Sequence, residues 1–282
     1  MRQSLRVVSA LAPNAARHLH SVVDWLASAT GLALEFDTRT PWPECEADLY
    51  AGDAAFGWIC GLPYILEASR VEPLAAAVMA GERYQDRPVY FSDVIVPAAS
   101  RFSRFADLRG ASLAFNEPGS HSGYNVLRYH MARIGMPGAA FGRVTAAGSH
   151  EAALRLVVAG QVDVACLDTT VLDQELADRP WLASGFRVIA TLGPSPIQPL
   201  VGSRRLPLAT RRRVAAAIEE MHLDPAGRRI LAAARMSRFE RVCDADYDPI
   251  RRMTRLAAAV RLDHAPPAFA SPACGRTAAL TA

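Results

Sequence analysis

The stretch SLAFNEPGSHSGYNVLRYHMARIG, residues 112–135, passes from an apolar run through a glycine- and serine-rich turn into a helical pattern. SLAFN reads as a strand. Val126, Leu127, Met131 and Ile134 recur at helical spacing and mark an inward face. Gly135, with Pro137 close behind, supplies the stop. A strand feeding a helix through a tight turn is the repeating unit of an α/β protein.

The same alternation extends in both directions. LRVVSAL, LALEF and AAFGWIC read as strands, with a helix from Pro13 to the stop at Gly31 and another opening at Pro63 and Tyr64. FADLRG forms a short helical turn before residue 112. Ser149 caps the helix HEAALRLVVAG, and QVDVACLD and FRVIAT are further strands. Beyond the proline-rich crossing GPSPIQPLVG the pattern contains only helices, over 208–222, 225–235 and 247–262. Two sets of strand–helix units built around parallel sheets, bracketed by the extended runs VYFSDVIVP and GPSPIQPLVG, predict two lobes. The expected boundaries are 1–89 for the first lobe, 90–194 for the second and 195–264 for the return, with 265–282 a disordered tail. A small ligand would bind in the cleft between the lobes.

Composition restricts the function. Of 282 residues 51% are hydrophobic and 21% charged, as in a globular protein with a sizeable core. The net charge of +3 comes from arginine rather than lysine and lacks the concentrated stripe of a nucleic-acid surface. The densest cluster, Arg211 to Arg213, reads as a solvated helix face. The five cysteines show no CxxC spacing, so neither a disulfide framework nor a zinc cluster is signalled. Cys60 and Cys166 read as small buried hydrophobes. No apolar stretch is long enough to cross a membrane.

Gly119-Ser120-His121-Ser122-Gly123 has the glycine spacing of a nucleophile elbow, but histidine stands where the serine must be. There is no GKS or GKT, and the glycines miss the GxGxxG spacing. A metal site would have to recruit His121, His150 and Asp168, yet no histidine lies one helical turn from another in these segments. An anion site fits the turn better. Unpaired N–H groups and the positive end of the helix dipole would meet an oxyanion there, with Ser120 and Ser122 adding hydroxyl donors and Gly119 and Gly123 allowing close approach. The competing reading is that Ser120 merely caps its helix; the residue types leave the two evenly balanced. GSHEAA repeats the theme with Ser149 and His150. Parallel strands place both helix starts, together with Asp168, on one sheet edge, although Asp168 also reads as a cap for the helix from Thr169.

FADLRGASLAFNEPGSHSGYN, then AAGSHEAALRLVVAGQVDVACLD, then RVIATLGPSPIQPLV resembles, in order, the phosphate/phosphonate (phosphite) substrate-binding proteins of ABC importers. VCDADYDPIRRM resembles the closing helix of that family. The resemblance spans residues 5 to 262 and is strongest from 89 to 200. It implies the type II periplasmic-binding-protein fold, with two crossover strands joining the lobes. It also implies that Ser120, His121, Ser122 and Gly123 hold phosphoryl oxygens, with His150 reaching them from the next helix. Tyr90 would contribute from the first crossover, Asp168 would face the far end of the ligand, and Tyr64, with Trp58 a weaker candidate, would approach from the first lobe. His121 stands where the family usually has threonine, and PSPIQP lacks a second carboxylate for an aminoalkyl group.

The expected function is therefore capture of phosphate, phosphite or a phosphonate by lobe closure, for an ABC permease as partner. No catalytic residue, cofactor, metal, nucleic acid or membrane insertion is expected, and the chain should be a monomer. The alternative is a cytoplasmic enzyme or ligand sensor on the same scaffold. The resemblance implies a periplasmic location; MRQSLRVVSAL lacks the apolar region and cleavage site of an export signal, so a true start at Met1 implies a cytoplasmic one. If anion binding uses His150, affinity should fall as pH rises through its titration, and pH-independent binding would count against that role.

Overall fold

A computed structural model describes residues 4–262, in which two mixed sheets carry helices on their faces. The tail expected over 265–282 lies outside the described residues. The first lobe begins with β1 (Leu5–Ser9), α1 (Pro13–Thr30), β2 (Leu34–Phe36), α2 (Trp42–Ala51), β3 (Phe56–Trp58), α3 (Gly61–Leu66) and β4 (Val71–Met79). The chain then enters the second sheet through β5 (Val89–Pro97), β6 (Ser112–Phe115), a π-helical turn (His121–Asn125) and α4 (Val126–Arg133). It continues through β7 (Arg143–Ala146), α5 (His150–Val158), β8 (Val164–Asp168), α6 (Thr169–Asp178) and β9 (Phe186–Pro196). Returning, it forms β10 (Pro199–Ser203), α7 (Leu208–Glu220), α8 (Pro225–Ala233), β11 (Met236–Arg241) and α9 (Asp248–Ala257).

The strand orders are β11-β4-β10-β3-β1-β2 and β7-β6-β8-β5-β9. β1 is parallel to β2 and β3, and β6 to β7 and β8, as the strand–helix alternation requires. The expectation of parallel sheets holds only for these halves. β10 runs antiparallel to β3 and β4, and β5 antiparallel to β8 and β9, because the chain enters and leaves the second sheet through strands of opposite direction.

The two crossings lie side by side. Val89 pairs with Pro196 and Tyr90 with Ser195, and the Ile197 N–H donates to the Pro88 carbonyl at 3.1 Å. The expected boundaries at 89/90 and 194/195 thus fall at the start of β5 and near the end of β9. α9, within the expected return segment, touches both lobes: Ile250 packs into the first core, while Met253 packs against the second.

Gly31, Gly135 and Gly160 end their helices in the left-handed region, at φ of 61°, 65° and 66°, where an L side chain is costly. Several other expectations require correction. VEPLAAAVM, not read as an element, is β4; all but one of its residues are buried, so it has no amphipathic period to betray it. The C-terminal third is not only helical: SRFER belongs to β11, an edge strand in which Phe239 alone is buried. Ile134, expected inward, is 48% exposed, since it follows the last turn of α4. Arg211 is buried rather than solvated; its guanidinium pairs with Glu72 and donates to the carbonyls of Arg204 and Leu206. That set of acceptors offsets the desolvation of the charge.

Candidate functional site

The C-terminal edge of β6 and β8 faces the first lobe across a cavity of about 150 Å³. After β6, residues 116–119 turn the chain into the π-helical turn. Ser120 caps it by accepting the Gly123 N–H at 3.1 Å, and the Asn125 N–H reaches back to the Ser120 carbonyl, also at 3.1 Å. A Cβ on Gly123 would lie 2.0 Å from Asn116 Oδ1 and 3.1 Å from His150 Cε1, so only glycine lets the three segments close. Ser120 and Ser122, each 2% exposed, line the cavity with hydroxyls 3.4 Å apart.

His150 opens α5 behind a second serine cap, Ser149, which accepts the Ala152 N–H at 3.0 Å. Its Nδ1 accepts the Asp168 N–H at 3.4 Å, so Nε2 carries the proton and donates to Ser122 Oγ at 3.0 Å. With one acceptor position thus filled, the Ser122 hydroxyl proton is free for a ligand oxygen. Burial lowers His150 to about 3, so the ring is neutral at ordinary pH. The expected loss of affinity as a cationic His150 titrates is therefore corrected: the group donates as a neutral imidazole.

His121 is drawn elsewhere. Its ring is fully buried, Nδ1 accepts from Asn125 Nδ2 at 3.0 Å, and Nε2 donates to Ser195 on the second crossing at 3.0 Å. Burial lowers it to about 3. Its backbone N–H points at Cys60 Sγ, 3.3 Å away. Tyr90 is 1% exposed; its hydroxyl lies in the neighbourhood of Ser122 and meets no partner at hydrogen-bonding geometry.

Asp168 fills the capping role and more. Oδ1 accepts from the Thr170 N–H and hydroxyl at 2.8 and 2.7 Å, and Oδ2 accepts from Gln198 Nε2 at 2.6 Å. Burial raises its carboxyl to about 6 against these hydrogen bonds. Tyr64 is not brought to the cavity. Its hydroxyl donates to Asp244 at 2.7 Å and its ring meets Tyr247 edge-on, with centroids 4.7 Å apart. Trp58, at the end of β3, does line the cavity.

Three contributions were not read from the sequence. Glu117 lines the cavity; burial, then the neighbouring Glu46 of α2, raise its carboxyl to about 7, and its Oε2 has no partner. Asn116 is 7% exposed, lines the cavity and leaves Oδ1 unpaired. From the first lobe, α1 opens at the cavity behind Ala12, which offers no capping side chain. Pro13 carries no N–H, and the Ala15 N–H donates to the Ala12 carbonyl at 3.0 Å. Asn116 and Glu117 stand beside Ser120 in the chain, which was the available signal. Among the described residues no cluster of three or more His, Cys, Asp or Glu is placed to hold a metal ion, and no helix is long and apolar enough to cross a membrane.

Two mixed sheets joined by paired crossings, with convergent helix starts lining an interlobe cavity, define a two-lobed solute-binding protein. Residues 7–247 match the family model of the ABC transporter, phosphonate, periplasmic substrate-binding proteins, and the chain belongs to that family. The fold is similar to that of a binding protein component of an ABC phosphonate transporter from Pseudomonas aeruginosa (TM-score 0.81, 19% identity, covering 92% of this chain and 87% of that one). It is also similar to PhnD1 from Prochlorococcus marinus, solved in complex with methylphosphonate (TM-score 0.79, 15% identity, 91% and 99% covered). A Xanthomonas citri protein bound to ATP shares the fold as well (TM-score 0.70, 18% identity, 91% and 96% covered).

Proposed function

We propose that the protein captures a small tetrahedral oxyanion, a phosphonate, phosphate or phosphite, between its lobes and delivers it to an ABC permease from the periplasmic side. The observation that carries this reading is the convergence of neutral donors. The Ser120 and Ser122 hydroxyls, the latter positioned by His150 Nε2–H, meet at one end of the cavity. Among the described residues no arginine lines that cavity, so hydroxyls and helix dipoles balance the ligand charge. Ser120 and Ser122 bind directly, His150 orients Ser122, and Gly123 lets the turn close on Asn116 and His150. Tyr90 lies close to Ser122, His121 positions the turn against the crossing, and Asp168 clasps Gln198. Tyr64 holds the first lobe to the segment before α9.

The arrangement does not suit hydrolysis, although Ser122 and His150 are at catalytic distance. A base must accept the serine proton, and His150 Nε2 already carries one because Nδ1 is taken by the Asp168 N–H. That supports a binding protein over an enzyme.

Isothermal titration with phosphate, phosphite, methylphosphonate and sulfate tests the proposal. Binding by at least one phosphorus oxyanion is expected. The S120A/S122A double variant should lose roughly a hundredfold or more in affinity, two charge-assisted hydrogen bonds being worth about 1.5–3 kcal/mol each. Absence of binding by every anion sinks the reading, and full affinity in the double variant returns the serines to plain helix capping.

A further inference from the structure

The cavity has two chemically different walls. The helix starts of the second lobe form the hydrogen-bonding one. The first lobe presents Leu11, Trp42, Trp58, Ala77, Met79 and Met236 opposite it. Ala77 and Met79 stand two apart on β4, so their side chains share one face, and each is 6% exposed. Met236 on β11 is in register with Met79 and extends that face. Trp58 adds an aromatic ring that is 3% exposed.

The side-chain amide donors on the first-lobe side are already engaged. Asn14 Nδ2 donates to the Val171 carbonyl at 3.3 Å, and Gln198 Nε2 to Asp168 at 2.6 Å. His18 Nε2 accepts from Arg17 Nε at 3.4 Å, and burial, then Arg17, lower its pKa. A polar substituent would meet a wall that is mainly apolar, and burying it there without a partner is costly. The cavity of about 150 Å³ has room for on the order of ten waters. A methylphosphonate, with its five non-hydrogen atoms, fills roughly half of that.

We propose that the ligand is a phosphonate bearing an apolar substituent of several carbons, alkyl or aryl, packed on the Trp58–Ala77–Met79 wall while its oxyanion sits on Ser120 and Ser122. This deepens the oxyanion reading and rests on it. The competing group is Glu117, whose unpartnered Oε2 would attract an ammonium. It belongs to the second lobe, beside the phosphoryl end, three residues before Ser120.

The decisive measurement is calorimetric titration of the intact protein with phosphate, the n-alkylphosphonates from methyl to butyl, phenylphosphonate, and 2-aminoethylphosphonate. Affinity should rise about fourfold per methylene, the equivalent of about 0.8 kcal/mol. n-Propylphosphonate should bind at least roughly tenfold tighter than its isostere 2-aminoethylphosphonate, which places a charged nitrogen where the terminal methyl would sit. Met236→Ser, at a half-buried edge-strand position, should reduce the butyl-to-methyl affinity ratio at least roughly threefold. A flat or falling series, an aminoethyl ligand equal to or tighter than propyl, or an unchanged ratio in Met236→Ser overturns the apolar-substituent proposal while leaving oxyanion binding intact. Binding by no member of the panel overturns both.

Discussion

The tripeptide Gly-Ser-His occurs at two helix starts of the second lobe, 119–121 and 148–150, and the two copies do different work. In both, the serine is the cap and accepts the N–H three residues on, at 3.1 Å for Ser120 and 3.0 Å for Ser149. In both, the histidine is buried, neutral and hydrogen-bonded through both ring nitrogens. Yet His150 turns toward the cavity and orients Ser122, whereas His121 turns away and pins the π-helical turn to Ser195 on the second crossing. Local chemistry sets the cap; the neighbours of the ring set its direction. One histidine orients a hydroxyl that lines the cavity, and the other fastens the turn to the second crossing.

Removing each ring is the most direct way to break this comparison. His121→Ala strips two hydrogen bonds from a fully enclosed site and leaves the Asn125 amide without its ring partner. It should cost about 2–4 kcal/mol of stability, read by chemical denaturation, and reduce affinity far less. His150→Ala should do the reverse, lowering oxyanion affinity roughly tenfold to a hundredfold by releasing Ser122, with the smaller loss in denaturant midpoint. Equal effects of the two variants on affinity would mean that the rings share one role.

A finer test uses pH. With both rings neutral above about pH 3, neither should impose a pH dependence on binding from pH 5 to 9. Glu117, raised to about 7 by burial and Glu46, is uncharged at the lower end and anionic at the upper. Affinity for an anion should therefore fall as pH rises through that value, by at least roughly fivefold. Unit charges about 4 Å apart repel by about 1 kcal/mol at the dielectric of water and by about 4 kcal/mol at an effective dielectric of about 20. Glu117→Gln should hold the low-pH affinity throughout; comparing the two proteins at each pH cancels the ligand's own titration. A parallel decline in both proteins would remove Glu117 from the account. For stability the carboxyl and the two histidines act in opposite directions. Glu117 contributes fully below its unfolded value and progressively less as pH rises toward 7, while the two histidines withdraw stability as pH falls from about 6.5 toward 3.

Much of the architecture was legible before any coordinates. The β6-to-α4 unit, the caps at Ser120 and Ser149, and the stops at Gly31, Gly135 and Gly160 follow from local rules of backbone geometry and periodicity. The order of motifs placed the chain in its family. β4 was hidden because a strand covered on both faces shows no alternation, and β11 because a polar edge strand with one buried phenylalanine carries little signal. Arg211 was misread because its partner Glu72 and the carbonyls it meets lie on other elements.

Residue types and spacing were enough to establish that two serine-capped helix starts share one edge of an α/β sheet, because caps, stops and strand–helix alternation are short-range properties. Folding of the two lobes against each other settled which side chains reach the cavity. It sent Tyr64 to Asp244 and His121 to Ser195, brought Glu117 beside Glu46, and set an apolar wall from β4 and β11 opposite the donors of the second lobe. Those outcomes depend on contacts between residues far apart in the chain, and no local pattern encodes them.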